Sequence, residues 1–96
     1  MQKKDPISRF EINRNVKRVL IRHAVVLMAL QFYCSGESVY LSGKLKKDPE
    51  REFSPAQIEA LVRELSALPH VKNLQFDLSN WNLIYEPGFI SASRKR

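Results

Sequence analysis

The sequence predicts an α+β fold in which two helices pack on one face of a three-stranded mixed sheet, in the order α-β-β-α-β. Three observations predict it. A helix-periodic apolar stripe begins at Ile12, and two alternating apolar runs flank a glycine turn at residues 35–38. A capped helix from Ser54 is then followed by a period-two run ending at Leu78.

Residues 1–11 are polar, hold Pro6 and read as a flexible lead-in. Ile12, Val16, Val19, Leu20 and His23 share one stripe at i, i+3, i+4 spacing. The first helix is therefore expected from Ile12 to about Ala24, with Asn13 or Asn15 near its N-cap. The run AVVLMALQFYC is ambiguous at first. From about Met28 to Cys34 it alternates, with Leu30, Phe32 and Cys34 on one side and Gln31 and Tyr33 on the other. Its aromatic content reads as a strand.

Ser35-Gly36-Glu37-Ser38 is the turn, with Gly36 suited to positive φ. VYLSGKL, residues 39–45, then returns antiparallel. Gly43 falls on its apolar side, where a core side chain would be expected. A glycine fits there if a helix passes close to the strand backbone. Residues 46–53 are polar, hold Pro49 and form a loop.

Ser54 is an N-cap, Pro55 takes the first helical position, and Gln57 completes an S-x-x-Q capping box. Ile58, Leu61, Val62, Leu65 and Leu68 share one face, Glu59 and Arg63 are placed to pair at i,i+4, and Pro69 stops the helix. Leu74, Phe76 and Leu78 alternate with polar residues, which marks a strand with one wet face. If the second and third strands share a sheet, the helix between them makes a right-handed crossover. The uncovered sheet face would carry Gln31, Tyr33, Tyr40, Ser42, Lys44, Gln75 and Asp77. The plan is a lead-in over 1–11, an α/β domain over 12–80, and a C-terminal extension over 81–96 that ends in the basic tail Arg94-Lys95-Arg96.

At 96 residues, 44% of them hydrophobic, the chain suits one domain with a small core. The net charge of +6 favours anionic partners. That charge is uneven. Residues 1–22 hold seven Lys/Arg against Asp5 and Glu11, whereas residues 23–80 hold six against seven acids. Arg14, Lys17, Arg18 and Arg22 share the outward face of the first helix, with Ile21 among them. This face is either merely solvated or an anion-binding surface. A basic face with an exposed isoleucine suits an anionic membrane surface or an acidic partner.

The lone Cys34 excludes an intramolecular disulfide and reads as a buried small hydrophobe, which fits a reducing compartment. The basic start is too long for a signal-peptide n-region, and no small-residue cleavage site follows the apolar run. That run of 11 residues, Ala24 to Cys34, is short of the roughly 20 a bilayer span needs. A cytoplasmic chain is expected, peripheral to a membrane if the basic face binds lipid.

The motifs V-x-L-x-G at Val39, Leu41 and Gly43, and then Leu68, Val71 and Asn73, make residues 12–80 resemble a BON domain. The connection at residues 46–53 is longer than in that family, and the 16 residues after Asn80 have no counterpart in its motifs. The resemblance implies a non-enzymatic binding module for phospholipid surfaces or for a protein partner. A rival resemblance is to the STAS domain. Asp77-Leu78-Ser79, Ile84 and Gly88 fit its spacing, but Tyr85-Glu86-Pro87 stands where that family has a phosphorylatable serine. It implies a regulatory protein-interaction domain.

An enzyme reading lacks an inventory. His23 lies on the apolar helix face and His70 in a turn, and neither has a carboxylate or cysteine at ligand spacing. No phosphate-binding glycine loop and no G-x-x-G clamp is present. No catalytic residue, metal or cofactor is expected. The candidate anion or lipid site is Arg14, Lys17, Arg18, Ile21 and Arg22. Gly43, Ser54 and Pro55 are structural. A small basic nucleic-acid binder using the first helix and the tail is a further alternative, with Trp81 and Tyr85 as stacking candidates. An uncovered sheet edge would admit a homodimer.

Overall fold

The computed structural model describes residues 9–48 and 51–95. The elements run α1 (Arg9–Arg22), a 3-10 turn (Leu27–Ala29), β1 (Leu30–Ser35), β2 (Ser38–Gly43), α2 (Pro55–Ser66), β3 (Asn73–Leu78), β4 (Trp81–Glu86) and β5 (Phe89–Arg94). The fold is α+β with two helices. It holds two sheets rather than one: a mixed sheet in the order β1-β2-β3 and a two-stranded sheet of β4 and β5.

β1 and β2 are antiparallel, joined by Gly36-Glu37, and Gly36 takes φ +61 as the turn demands. β2 and β3 are parallel, so α2 is the connection a parallel pair requires. Register puts Leu30, Phe32, Cys34, Val39, Leu41, Leu74, Phe76 and Leu78 on one side. There they join the α1 residues Ile12, Val16, Val19 and Leu20 and the α2 residues Ile58, Leu61, Val62 and Leu65 in one core. Ser54 caps α2 as its motif requires. Its Oγ accepts from the Gln57 N–H at 3.2 Å, and the Gln57 Oε1 accepts from the Ser54 N–H at 2.9 Å.

Several expectations are corrected. α1 begins at Arg9, so residues 9–11 belong to the helix and not to a lead-in, while residues 1–8 lie outside the described residues. Asn13 and Asn15 sit inside the helix, and neither caps it. The Asn13 Oδ1 instead accepts from the Cys34 thiol at 3.0 Å, tying α1 to β1. Met28 is not in β1 but in the 3-10 turn, with its side chain exposed. Glu59 and Arg63 form no ion pair within 4.0 Å; the α2 acid in contact with α1 is Glu64.

Gly43 does meet a close backbone, that of the 3-10 turn and not of α1 or α2. At φ +104, a Cβ there would lie 2.5 Å from the carbonyl oxygen of Ala29, which accepts the Lys44 N–H at 2.8 Å. The glycine lets the end of β2 close on the lead-in of its own neighbour, β1.

Residues 81–94, within the expected C-terminal extension, are structured. They form an antiparallel hairpin around Pro87-Gly88, with Gly88 at φ +82. Trp81 and Leu83 are buried in the shared core, and Tyr85, Ile90 and Ala92 pack against it. The hairpin is joined to the sheet by Asn80. Its side-chain amide exchanges two 3.0 Å hydrogen bonds with the backbone of Leu45, as a paired strand residue would.

α1 ends in a Schellman motif. The Ala24 N–H donates to the Ile21 carbonyl (2.9 Å) and the Val25 N–H to the Leu20 carbonyl (3.0 Å). The residue this motif places in the left-handed region is Ala24, at φ +60, and not glycine.

Candidate functional site

The core-facing stripe of α1 leaves the opposite side of the helix outside. Arg14, Lys17, Arg18, Ile21 and Arg22 are all exposed, as their spacing predicts, and Ile21 is 57% exposed. Phe10 joins them at 80% exposure. In the sequence it falls among polar residues and Pro6, within the expected lead-in. Phe10 is eleven residues before Ile21, close to three whole turns. The two apolar side chains therefore stand on one line of the helix, about 16 Å apart along its axis, with Arg14 and Lys17 between them and Arg18 at the flank.

Arg22 is not part of the open face in the same sense. Its guanidinium is ion-paired with Glu64 of α2, whose other carboxylate oxygen accepts from the His23 Nε2 at 2.7 Å. The open anion-seeking set is thus Arg14, Lys17 and Arg18 framed by Phe10 and Ile21, while Arg22 turns toward the α1–α2 junction.

His23 sits half-buried at that junction. Burial, with the positive charges of Arg22 and Lys47, holds its imidazole below the ordinary histidine value. The Glu64 carboxylate pulls the other way but does not win. A neutral imidazole donating from Nε2 to Glu64 fits both facts.

The residues proposed for stacking on nucleic acid are placed otherwise. Trp81 is buried, and Arg94 lies 5.5 Å from its ring while pairing with Glu52 at 2.9 Å. The Lys95 ammonium donates to the Leu78 carbonyl at 2.8 Å. Tyr85 is half-buried against the core. Asp77 and Leu78 end β3, Ser79 bonds the Gly43 carbonyl, Ile84 is exposed on β4, and Gly88 is in the hairpin turn. The open face of the sheet holds an aromatic pair built from two of the residues the alternation places there. Tyr33 and Tyr40, register partners, stack with centroids 4.9 Å apart.

Cys34 is buried. His70 is exposed, at φ +66 in the turn before β3. Among the described residues no three His, Cys, Asp or Glu side chains cluster as metal ligands, and no helix is long and apolar enough to cross a membrane. Compared with protein-family models and with curated proteins, the chain matches none.

Proposed function

We propose that this chain is a non-enzymatic binding module, related in plan to BON domains, whose first helix docks on anionic phospholipid surfaces. The observation that carries this reading is the outward line of α1. Two large exposed apolar side chains, Phe10 and Ile21, bracket Arg14 and Lys17, with Arg18 beside them. An interfacial helix needs this combination: cations for lipid phosphates and apolar groups to sink between headgroups. The α-β-β-α-β order of the first elements is in keeping with the BON resemblance, and the β4–β5 hairpin is an addition to it.

Each interfacial Lys or Arg adds about 1 kcal/mol of attraction to an anionic surface. Replacing Arg14 and Lys17 by Ala should then weaken partitioning by about 2 kcal/mol, roughly thirtyfold. The test is co-sedimentation with phosphatidylcholine vesicles with and without phosphatidylglycerol. Binding should require the anionic lipid and fall with salt. Phe10→Ala and Ile21→Ala should remove the part that survives salt. Equal binding to neutral vesicles, or none to either at low salt, would sink the proposal.

A second copy of the chain is a further partner with an observation in its favour. β1 is an edge of the three-stranded sheet, and Leu30–Ser35 contains no charge, proline or glycine to deter pairing. Sedimentation velocity across a concentration series checks it, and a monomer throughout would remove it.

A further inference from the structure

Where α1 ends and α2 begins lies a hollow of about 240 Å³. It is lined by Arg22, His23 and Ala24 from the end of α1, by Lys47 and Phe53 from the loop, and by Gln57 and Ala60 from the first turns of α2. Its construction is specific. The Val26 N–H donates to the Lys46 carbonyl (2.9 Å) and the Asp48 N–H to the Ala24 carbonyl (2.7 Å). These two bonds clamp the backbone on either side of Lys47 against the end of α1, with Val25 and Lys47 bridged antiparallel. Lys47 is thereby held beside His23, its ammonium 6.0 Å from the ring centre of the buried Phe53.

The donors left over in this hollow point to one kind of ligand. Gln57 has its Oε1 engaged by the Ser54 N–H, so its Nε2 is the group left to meet a guest. Arg22 gives one terminal nitrogen to Glu64 and retains further N–H groups. His23 gives Nε2 to Glu64, which leaves Nδ1. Arg22 and Lys47 against Glu64 leave the site with a net positive charge, and the early turns of α2 add the positive end of a helix dipole. Phe53 supplies an apolar floor.

We propose that this hollow binds a phosphomonoester, with Lys47, Arg22 and Gln57 donating to its oxygens. The doubly charged phosphate meets two cations, and the carbon next to it can rest on Phe53. Proton uptake at His23 Nδ1 supplies a further donor to the anion. The groups that face His23 are Glu64 from α2, Arg22 from α1 and Lys47 from the loop, and a bound dianion reverses the balance that now favours the neutral ring. The source is either a lipid headgroup such as phosphatidate or a soluble phosphate ester. The inference rests on the lipid reading only for the first of these.

The experiment is an amide and imidazole NMR titration of the whole chain with glycerol 3-phosphate, with sodium sulfate at matched ionic strength in parallel. Shifts confined to His23, Lys47, Gln57 and Ala60, a rise in the His23 pKa on binding, and about tenfold weaker binding by Lys47→Ala are the expected result. Equal response to sulfate, or shifts spread over all exposed cations, would overturn it, as would an unaltered affinity in Lys47→Ala. Vesicles then separate the sources. Preference for phosphatidate over phosphatidylglycerol that Lys47→Ala abolishes assigns the lipid; glycerol 3-phosphate binding without that preference assigns the soluble ester. Lys47→Ala should leave phosphatidylglycerol binding through α1 unchanged. Loss of all vesicle binding with glycerol 3-phosphate binding intact would remove the α1 proposal and leave this one standing.

Discussion

Replacing Ala24 by glycine should stabilise this protein. Ala24 is the left-handed residue of the α1 Schellman motif, at φ +60. A Cβ in that region costs about 1–2 kcal/mol, which glycine does not incur. Glycine also loses more conformational entropy on folding, about 0.5–1 kcal/mol, which offsets part of the gain. The carbonyl of Ala24 accepts the Asp48 N–H and its N–H donates to Ile21, and both bonds are backbone, so the substitution keeps them. Ala24 is only half-buried, so the methyl it gives up carries little packing. The net expectation is a gain of about 0.5–1 kcal/mol, or roughly 2–8 °C in Tm for a domain of this size. Differential scanning calorimetry with a urea titration measures both quantities. An unchanged or lowered Tm with an unchanged m-value would refute the reasoning, because it would mean that the left-handed conformation costs alanine nothing here.

Gly43→Ala should act in the opposite sense. The new Cβ meets the Ala29 carbonyl at 2.5 Å in a left-handed backbone, so a loss of about 2–4 kcal/mol is expected in urea unfolding, and a loss under about 0.5 kcal/mol would contradict the close approach. Trp81→Ala should cost about 3–5 kcal/mol because Trp81 is buried in the shared core; a variant as stable as the parent would mean the hairpin is an appendage. His23 is held below its ordinary value when folded, so the unfolded chain takes up a proton first as pH falls through about 6.5. Stability is then complete above that pH and declines below it until the folded imidazole also protonates. Urea midpoints between pH 7.5 and 5 check this, and a slope in His23→Gln equal to the parent's would assign the decline elsewhere.

The parts of the fold legible in the sequence are those fixed by neighbours in the chain. Ser54, Pro55 and Gln57 form a capping box whatever surrounds them, and Leu74, Phe76 and Leu78 alternate because one side of a strand is covered. Some of the parts less legible depend on residues far apart. Gly43 is explained by Ala29, and Arg22 leaves the basic face for Glu64, 42 positions later in the chain. The β4–β5 hairpin carries a local signal of its own. Trp81, Leu83 and Tyr85 alternate with Asn82, Ile84 and Glu86, and Pro87-Gly88 supplies the turn. Phe10 lies in the three residues by which α1 precedes Ile12, where the apolar stripe begins. At the candidate site, Arg14, Lys17, Arg18 and Ile21 were legible because a helix repeats every 3.6 residues. The hollow around Lys47 was not, because three separated segments build it.

The thiol of Cys34 gives this architecture an internal clock. It is the chain's single cysteine, buried in β1, and its Sγ donates to Asn13 of α1. Separation of α1 from the sheet uncovers it to a thiol reagent, so the rate of alkylation responds to separations of helix from strand. If α1 settles on a membrane as a fixed part of the folded body, vesicles slow that rate. If it peels off to lie alone in the interface, they accelerate it. One native atom thus distinguishes a domain that lands whole from one that opens as it lands.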